Sequence, residues 1–376
     1  MKKIFHIISS LSTGGAEMML YKLLSRMDSA VFVPEVVSLT DIGSVGRRIL
    51  DLEVRVRCLG MSRGSLSPTK LFKLVQWLRI GRPGLIQTWM YHADLIGSIA
   101  TFGAGHIPVV WNIRQTNLSP EFNKRSTIRT AGLCARFSHR LPSRIICNSH
   151  VSCAAHVDFG YDKNKMIVIP NGFDLDFFKP DPAMRNSVRK ELGLPDHALL
   201  IGLVARFDPQ KDHHNFIRAA SILSDVRPDV HFVLCGKHIT KENSLLAGWI
   251  SNKGLNNKCS LLGERHDIPK INSALDIACS ASIGEGFPNV VGEAMACGVP
   301  CAVTDVGDSA LIVGDTGRVA PAEDHRALAS ALAELVDMGP EERARLGKRA
   351  RSRIEEHFSL SAVAAKYESL YQELAF

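Results

Sequence analysis

Short β-branched runs alternate with longer amphipathic runs along most of the chain, and this alternation limits the fold more than any other feature. Strand-like runs are expected at residues 3–9, 31–39, 53–58, 84–89, 108–113 and 144–148, with helical runs at 16–27, 68–80 and 92–102. A second series has strands at 198–204, 229–235, 259–262, 275–279 and 299–304, then helices at 323–338, 340–356 and about 360–374. Strands that alternate with helices pair in parallel, because a crossover is needed between them. Each series therefore predicts an α/β unit: a parallel sheet covered by helices. Between the two lies Ile167-Val168-Ile169-Pro170-Asn171-Gly172-Phe173-Asp174, which reads as a strand running into a linker that continues through Lys179-Pro180-Asp181-Pro182. A chain of 376 residues is too long for one ordinary core. The expected division is a first domain at 1–175 and a second at 176–358, followed by a last helix at 359–376.

The most informative stretch is Glu285-Gly286-Phe287-Pro288-Asn289-Val290-Val291-Gly292-Glu293, continued by Ala294-Met295-Ala296-Cys297-Gly298-Val299-Pro300. It reads as a loop and one short helix. Gly286 permits an unusual backbone geometry, and Pro288 suits a first helical position. Gly298 and Pro300 stop the helix. Gly292, Ala294 and Ala296 are small enough to let it lie close to a sheet. The amides at its start, helped by the helix dipole, form an anion site. Glu285 stands just before that start and Glu293 about one turn inside it. Phosphates on the amides and hydroxyls on the two carboxylates is the pattern that suits a nucleotide-sugar.

Two further elements converge on anion chemistry. Arg206 and Lys211 lie five residues apart across Pro209, in Arg206-Phe207-Asp208-Pro209-Gln210-Lys211, and can meet one diphosphate. In the first half, Ser10-Leu11-Ser12-Thr13-Gly14-Gly15 joins a strand to a helix; it is either a phosphate-facing loop or a plain tight turn. It matches neither the dinucleotide fingerprint nor a P-loop. His92 and Arg114 fall at the carboxyl ends of strands, where open α/β sheets place ligands. His92 reads equally as a capping or packing histidine.

Glu285 to Glu293 resembles the E-x(7)-E signature of retaining GT-B glycosyltransferases, carbohydrate-active family four, and the likeness runs on through Pro300. Gly14-Gly15-Ala16-Glu17, Asn148-Ser149, the 168–174 strand-to-linker segment and Arg206 with Lys211 resemble other elements of that family. The resemblance implies two Rossmann-like domains facing across a cleft, with the last helix crossing back to pack on the first. It implies a first domain that holds the acceptor and a second that holds a nucleotide-diphosphate sugar, a UDP-sugar being the commoner choice. By resemblance, Arg206, Lys211, Glu285 and His92 are the catalytic residues. Gly14, Gly15, Arg114, Gly286, Phe287, Pro288, Asn289, Val290 and Glu293 are then substrate-binding. Arg and Lys take the place of a metal ion, so no metal and no cofactor are expected. Activity would be transfer with retained anomeric configuration, in synthesis of cell-surface polysaccharide or lipopolysaccharide. A nucleotide-sugar epimerase of the same fold, or a non-catalytic sugar-nucleotide-binding protein, are the alternatives.

Composition adds the surroundings. No apolar run approaches the roughly 18–20 residues of a membrane span, and the residues after Met1-Lys2-Lys3 read as a strand rather than a signal-peptide core. Nine cysteines without a C-x-x-C pair fit a reducing compartment, so a cytoplasmic protein is expected. Residues 1–180 carry 23 Lys and Arg against 12 Asp and Glu, a balance of +11, while 181–376 carry 22 against 26, a balance of −4. The first half therefore meets something anionic. The run 121–144 interleaves Lys124, Arg125, Arg129, Arg136, Arg140 and Arg144 with Phe122, Ile128, Leu133 and Phe137. It reads either as a solvated basic face or as a surface for anionic lipid or a pyrophosphate-linked acceptor. The expected partners are the sugar donor, a glycan or lipid-linked acceptor and an anionic membrane surface on the inner face; no nucleic acid is expected.

Overall fold

The computed structural model describes residues 1–62, 67–116, 118, 123–195 and 198–375. The chain divides into two compact units, Met1–Gly172 with Leu360–Phe376, and Phe173–Ser359. Glu121 and Phe122 of the basic run lie outside the described residues.

The first unit is built on seven parallel strands: β1 (Lys2–Ile8), β2 (Phe32–Ser38), β3 (Arg55–Cys58), β4 (Leu85–Trp89), β5 (Val109–Ile113), β6 (Arg144–Cys147) and β7 (Met166–Val168), in the order β3-β2-β1-β4-β5-β6-β7. Successive side chains leave opposite faces of a strand, and both faces here are apolar. Ile4, Ile8, Leu85, Trp89, Val110 and Ile146 pack with Met19, Leu20 and Leu23 of the helix Gly15–Leu24. Phe5, Ile7, Ile86, Val109, Trp111 and Ile145 pack with Leu74, Leu78, Ile96 and Ala131 from the helices Pro68–Gly81, Tyr91–Ala104 and Arg125–Phe137. These three helices lie side by side in that order. Burying each large apolar side chain is worth about 1.5–3 kcal/mol.

The last helix, Leu360–Leu374, belongs to this unit, as the resemblance implies. Val363, Ala364, Tyr367 and Tyr371 join the cluster around Ile4 and Trp89. Two of its side chains also reach the polar interior. Tyr367 Oη accepts from Asn112 Nδ2 at 3.0 Å and from Arg114 Nη1 at 3.2 Å, and Tyr371 Oη donates to Gln87 Oε1.

The second unit repeats the plan with β8 (Leu199–Val204), β9 (Val230–Cys235), β10 (Cys259–Leu261), β11 (Ile277–Ser280), β12 (Cys301–Thr304) and β13 (Arg318–Ala320), all parallel, in the order β10-β9-β8-β11-β12-β13. β12 starts at Cys301 rather than at Val299, because Pro300 has no amide to give to a ladder. In both sheets the strand order reverses at one place, between β1 and β4 and between β8 and β11. Loops leaving the carboxyl ends of such strands diverge and open a crevice.

Candidate functional site

At the reversal in the second unit, the loop after β8 and the loop after β11 are stitched together. Asp208 Oδ1 accepts from the Gln210 amide at 3.0 Å and shapes the 3-10 turn Pro209–Lys211. Asp212 then takes φ +44° and caps the helix His213–Val226 through the Asn215 amide at 3.0 Å. A non-glycine residue in this left-handed region costs about 1–3 kcal/mol. The turn aims Lys211 across the crevice. Its Nζ donates to Glu285 Oε1, which also accepts from Ser282 Oγ at 2.7 Å. The Ile283 amide donates to the Gln210 carbonyl at 2.9 Å, so backbone as well as side chains holds the loops in register. The ammonium and carboxylate are largely buried, 18% and 11% exposed.

Arg206 is placed differently. Its side chain is 59% exposed and donates through Nε to Asp208 Oδ2 at 3.0 Å. Asp208 is drawn below the usual carboxylate range: its partial burial opposes this, but the Gln210 amide, Arg206 and Lys211 outweigh it. Arg206 and Lys211 are thus both near Asp208, yet each is engaged by a different carboxylate.

The helix Asn289–Ala296 starts one residue later than expected, with Pro288 as its cap at φ −76° and ψ 95°. Pro288 therefore stands before the helix, not within it, and no side chain caps the helix start. Nor is Gly286 one of the left-handed glycines; those flanking the motif are Gly298 at +76° and Gly307 at +58°. At Gly307 a β-carbon would fall 2.5 Å from the Gly286 carbonyl oxygen. The Asp308 amide donates to that same oxygen at 2.9 Å, so the loop carrying Glu285 is pinned by the turn after β12. Gly292 makes room for the ring of Phe173 rather than for a strand. Phe173 stacks on Phe287 with ring centroids 6.0 Å apart. Phe287 and Pro288 are buried, leaving Phe287 only its backbone for a ligand, whereas Asn289 is exposed and Val290 and Glu293 are half-buried.

In the first unit the reversal lies between β1 and β4, whose last residues Ile8 and Trp89 pair in register. A cavity of about 380 Å³ opens beside it, lined among others by Ser9, Ser10, Thr40, His92, Lys124 and Thr130. Met90, between β4 and the next helix, has φ +72°, a second strained residue at a strand end. His92 Nε2 lies 3.4 Å from Thr130 Oγ1, and burial pushes its pKa down, which favours the neutral ring. Gly14 precedes the helix Gly15–Leu24 in extended backbone. A β-carbon at Gly14 would meet the Glu17 carboxylate, which accepts from Ser10 Oγ at 3.1 Å. Arg114 is turned inward onto Tyr367 and Asn171, and its guanidinium lies 5.9 Å from the Trp89 ring centroid. The structure brings His92 to the cavity and leaves Arg114 as a tie between β5, the linker and the last helix.

Sequence reasoning missed the hydroxyls around the cavity, and it missed Asp208 and Ser282, for which no spacing gave a signal. It also took D-x-D to be absent from the sequence, and this is wrong, since Asp174-Leu175-Asp176 spells it. There Asp174 Oδ1 accepts from the amides of Asp176 and Phe177 at 3.0 and 3.2 Å, as a turn residue does. Among the described residues no group of three or more His, Cys, Asp or Glu stands close enough to hold a metal ion.

Residues 13–177 match the family described as Glycosyltransferase Family 4, and residues 184–353 match Glycosyl transferases group 1. The chain is 27% identical, over 77% of its length and 74% of the other, to the UDP-Gal:alpha-D-GlcNAc-diphosphoundecaprenol alpha-1,3-galactosyltransferase of Escherichia coli. It is 32% identical, over 54% of its length and 60% of the other, to the lipopolysaccharide core biosynthesis mannosyltransferase LpsB of Rhizobium meliloti. Its structure is similar to HepE of Anabaena in complex with UDP, with a TM-score of 0.83 and 26% identity over the whole of both chains.

Proposed function

Since the chain belongs to the group 1 glycosyltransferases of the GT-B fold, we propose that it moves a sugar from UDP to a lipid-linked glycan acceptor with retention of anomeric configuration. The observation that carries the reading is the Lys211–Glu285 pair at the strand-order reversal of the second unit, beside the uncapped start of the helix Asn289–Ala296. Breaking the bond from the anomeric carbon to phosphate puts negative charge on the leaving diphosphate and positive charge on the ring. Lys211, Arg206 and the amides near Asn289 and Val290 stabilise the first, each by roughly 3 kcal/mol in the transition state. Glu285 orients donor-sugar hydroxyls and Glu293 the ribose. The departing phosphate oxygen takes the acceptor's proton on the same face, so no enzymic nucleophile is needed. Support for uridine comes from HepE, solved with UDP and with UDP-glucose.

The acceptor belongs to the first unit. The cavity beside His92 offers hydroxyls, Lys124 and an apolar wall of Leu39, Met61, Leu95 and Ile96. That mixture suits a sugar linked through phosphate to a lipid, as in the substrate named for the Escherichia coli relative. Among the described residues no helix is long and apolar enough to cross a membrane. The route to such an acceptor that we propose is peripheral docking. It is supported by the outer side of the three adjacent helices, where Phe72, Ile80, Phe102, Leu133 and Phe137 are exposed beside Lys73, Arg79, Arg129, Arg136 and Arg140. Only Leu74 and Leu78 of the helix Pro68–Gly81 are fully buried, so its Phe72 and Ile80 are not core.

The test is incubation of the purified chain with radiolabelled UDP-sugars and diphosphate-linked lipid acceptors. Label appearing in the lipid fraction supports the reading, and the anomeric linkage of the product decides retention. Release of free sugar or epimerised donor with no acceptor product would overturn it.

A further inference from the structure

A second cavity, of about 330 Å³, lies at the opposite end of the second unit from the Lys211–Glu285 pair. Leu275 and Asp276, just before β11, and Val299 and Pro300, just before β12, line it at the amino-terminal ends of those strands. Cys297 and Gly298 close the helix Asn289–Ala296 there, so the helix joins the two ends of the unit.

One residue in this cavity is not accounted for by folding alone. Arg343 lines it and is 8% exposed. Its Nη1 donates to the carbonyls of Leu335 and Val336 at 3.1 and 3.0 Å, closing the helix His325–Asp337. Nε and Nη2 have no hydrogen-bond partner among the described residues and are open to solvent rather than buried, and no described carboxylate lies within ion-pair distance of the guanidinium. Asp276 could supply one but is already used. Its Oδ1 takes Arg185 Nη2 at 2.7 Å, and its Oδ2 takes Arg189 Nη2 at 2.6 Å and the Leu200 amide at 2.7 Å. Asp181 caps the helix Pro182–Glu191 through the Met184 amide at 2.9 Å. The locality thus holds three guanidinium groups and two carboxylates, both committed.

This open guanidinium edge, formed by Nε and Nη2, matches the two oxygens of a carboxylate or phosphate. The rest of the wall, with Pro180, Pro182, Leu275, Val299 and Pro300, is apolar. We propose that this cavity is a second ligand site, separate from the donor site, that takes a small organic anion with its acidic group on Arg343 and its apolar body against the prolines. The volume falls at the lower end of the range of small-molecule pockets, which sets the size of the ligand.

Isothermal titration of the full chain with phenyl phosphate, benzoate and inorganic phosphate tests this, and the stronger of the first two identifies the acidic group. The comparison is with Ala344→Trp, Arg343→Lys and Lys211→Ala. Ala344 is exposed at the rim, so a tryptophan there fills the cavity without touching a charge. Arg343→Lys keeps the charge but loses the two-pronged edge. Saturable binding of phenyl phosphate or benzoate to the wild type is expected, weakened at least about tenfold in Ala344→Trp and in Arg343→Lys and unchanged in Lys211→Ala. Three outcomes overturn the proposal: no saturable heat up to about 10 mM of any probe, equal binding to both cavity variants and wild type, or loss of binding in Lys211→Ala alone. Inorganic phosphate binding as tightly as phenyl phosphate would also overturn it, since the apolar wall would then contribute nothing.

Discussion

Lys211 Nζ and Ser282 Oγ both donate to one oxygen of Glu285, although Lys211 lies 74 residues earlier in the chain. The arrangement keeps an ammonium neutralised inside a largely enclosed crevice. A diphosphate arriving at the neighbouring helix start would compete with Glu285 for that ammonium. Glu285 would then be released toward the sugar hydroxyls.

Replacing Lys211 by alanine should therefore lower kcat/KM by about 10²–10³-fold, and it should also lower the melting temperature, because Glu285 is left largely buried without its cation. Glu285→Gln should impair transfer with a smaller effect on binding of the nucleotide alone. Initial rates and calorimetric titration with UDP check both. A Lys211→Ala protein with wild-type rates would remove the lysine from the chemistry.

Charge stabilisation by Arg206 and Lys211 predicts activity without a divalent ion. Transfer rates should survive EDTA treatment. Complete loss, restored by magnesium or manganese, would mean that the two side chains do not replace a cation.

The exposed apolar and basic side of the first unit predicts salt-sensitive association with vesicles rich in anionic lipid. Each Lys or Arg near the leaflet contributes about 1 kcal/mol, fading beyond a Debye length of roughly 8–10 Å. The triple variant Phe72→Ser, Ile80→Ser, Phe102→Ser should lower the sedimented fraction at low salt without altering the melt. Equal sedimentation of variant and wild type would place the contact elsewhere, and no sedimentation of either would point to a soluble acceptor.

Asp94 lies fully buried two residues from His92, with Oδ1 accepting from Thr88 Oγ1 at 2.6 Å. Burial raises its pKa from 3.8 to about 7, against the opposing bonds from Thr88 and the Asn112 backbone. Between those values the folded state holds a proton that the unfolded state has lost. The stabilising contribution is complete below about pH 4 and is lost as pH rises through about 7. Asp94→Asn keeps the acceptor oxygen and cannot ionise, so its stability relative to wild type should rise between pH 5 and pH 8, by at most about 3 kcal/mol. Denaturant melts across that range test this, and parallel curves would show that Asp94 titrates normally.

Tyr371→Phe should cost about 1–3 kcal/mol, because Gln87 Oε1 would be left buried without its donor. Urea unfolding of the full chain measures it. An unchanged midpoint would mean that water replaces the hydroxyl.

The sheets were legible because short β-branched runs and longer helix-period runs alternate at spacings that only a parallel sheet satisfies. β13 (Arg318-Val319-Ala320) was not read from the sequence. The helix His213–Val226 was missed where two adjacent histidines obscure its apolar stripe, although Phe216, Ile217, Ala220 and Leu223 are all buried. Within the site, residue types and spacing pointed to Lys211 and Glu285 separately. Their pairing depends on β8 and β11 being neighbours, which is a property of strand order and not of either segment. The role of Gly292 was misread for a similar reason: its neighbour, Phe173, comes from the linker and has no local signal.

The helix Leu360–Leu374 sets an order of assembly. Residues 1–172 are made well before Tyr367 and Tyr371, the partners that complete their sheet face. At about 5–20 residues per second the wait is roughly 10–40 s. Over that interval Ile4, Ile8 and Trp89 have only the earlier partners Met19, Leu20 and Leu23, and Gln87 and Asn112 lack their tyrosine partners. The second unit, continuous in sequence, has no such delay. The half that is translated first is therefore the half that matures last, and a chain halted before residue 360 would hold its sheet open to chaperones and proteases.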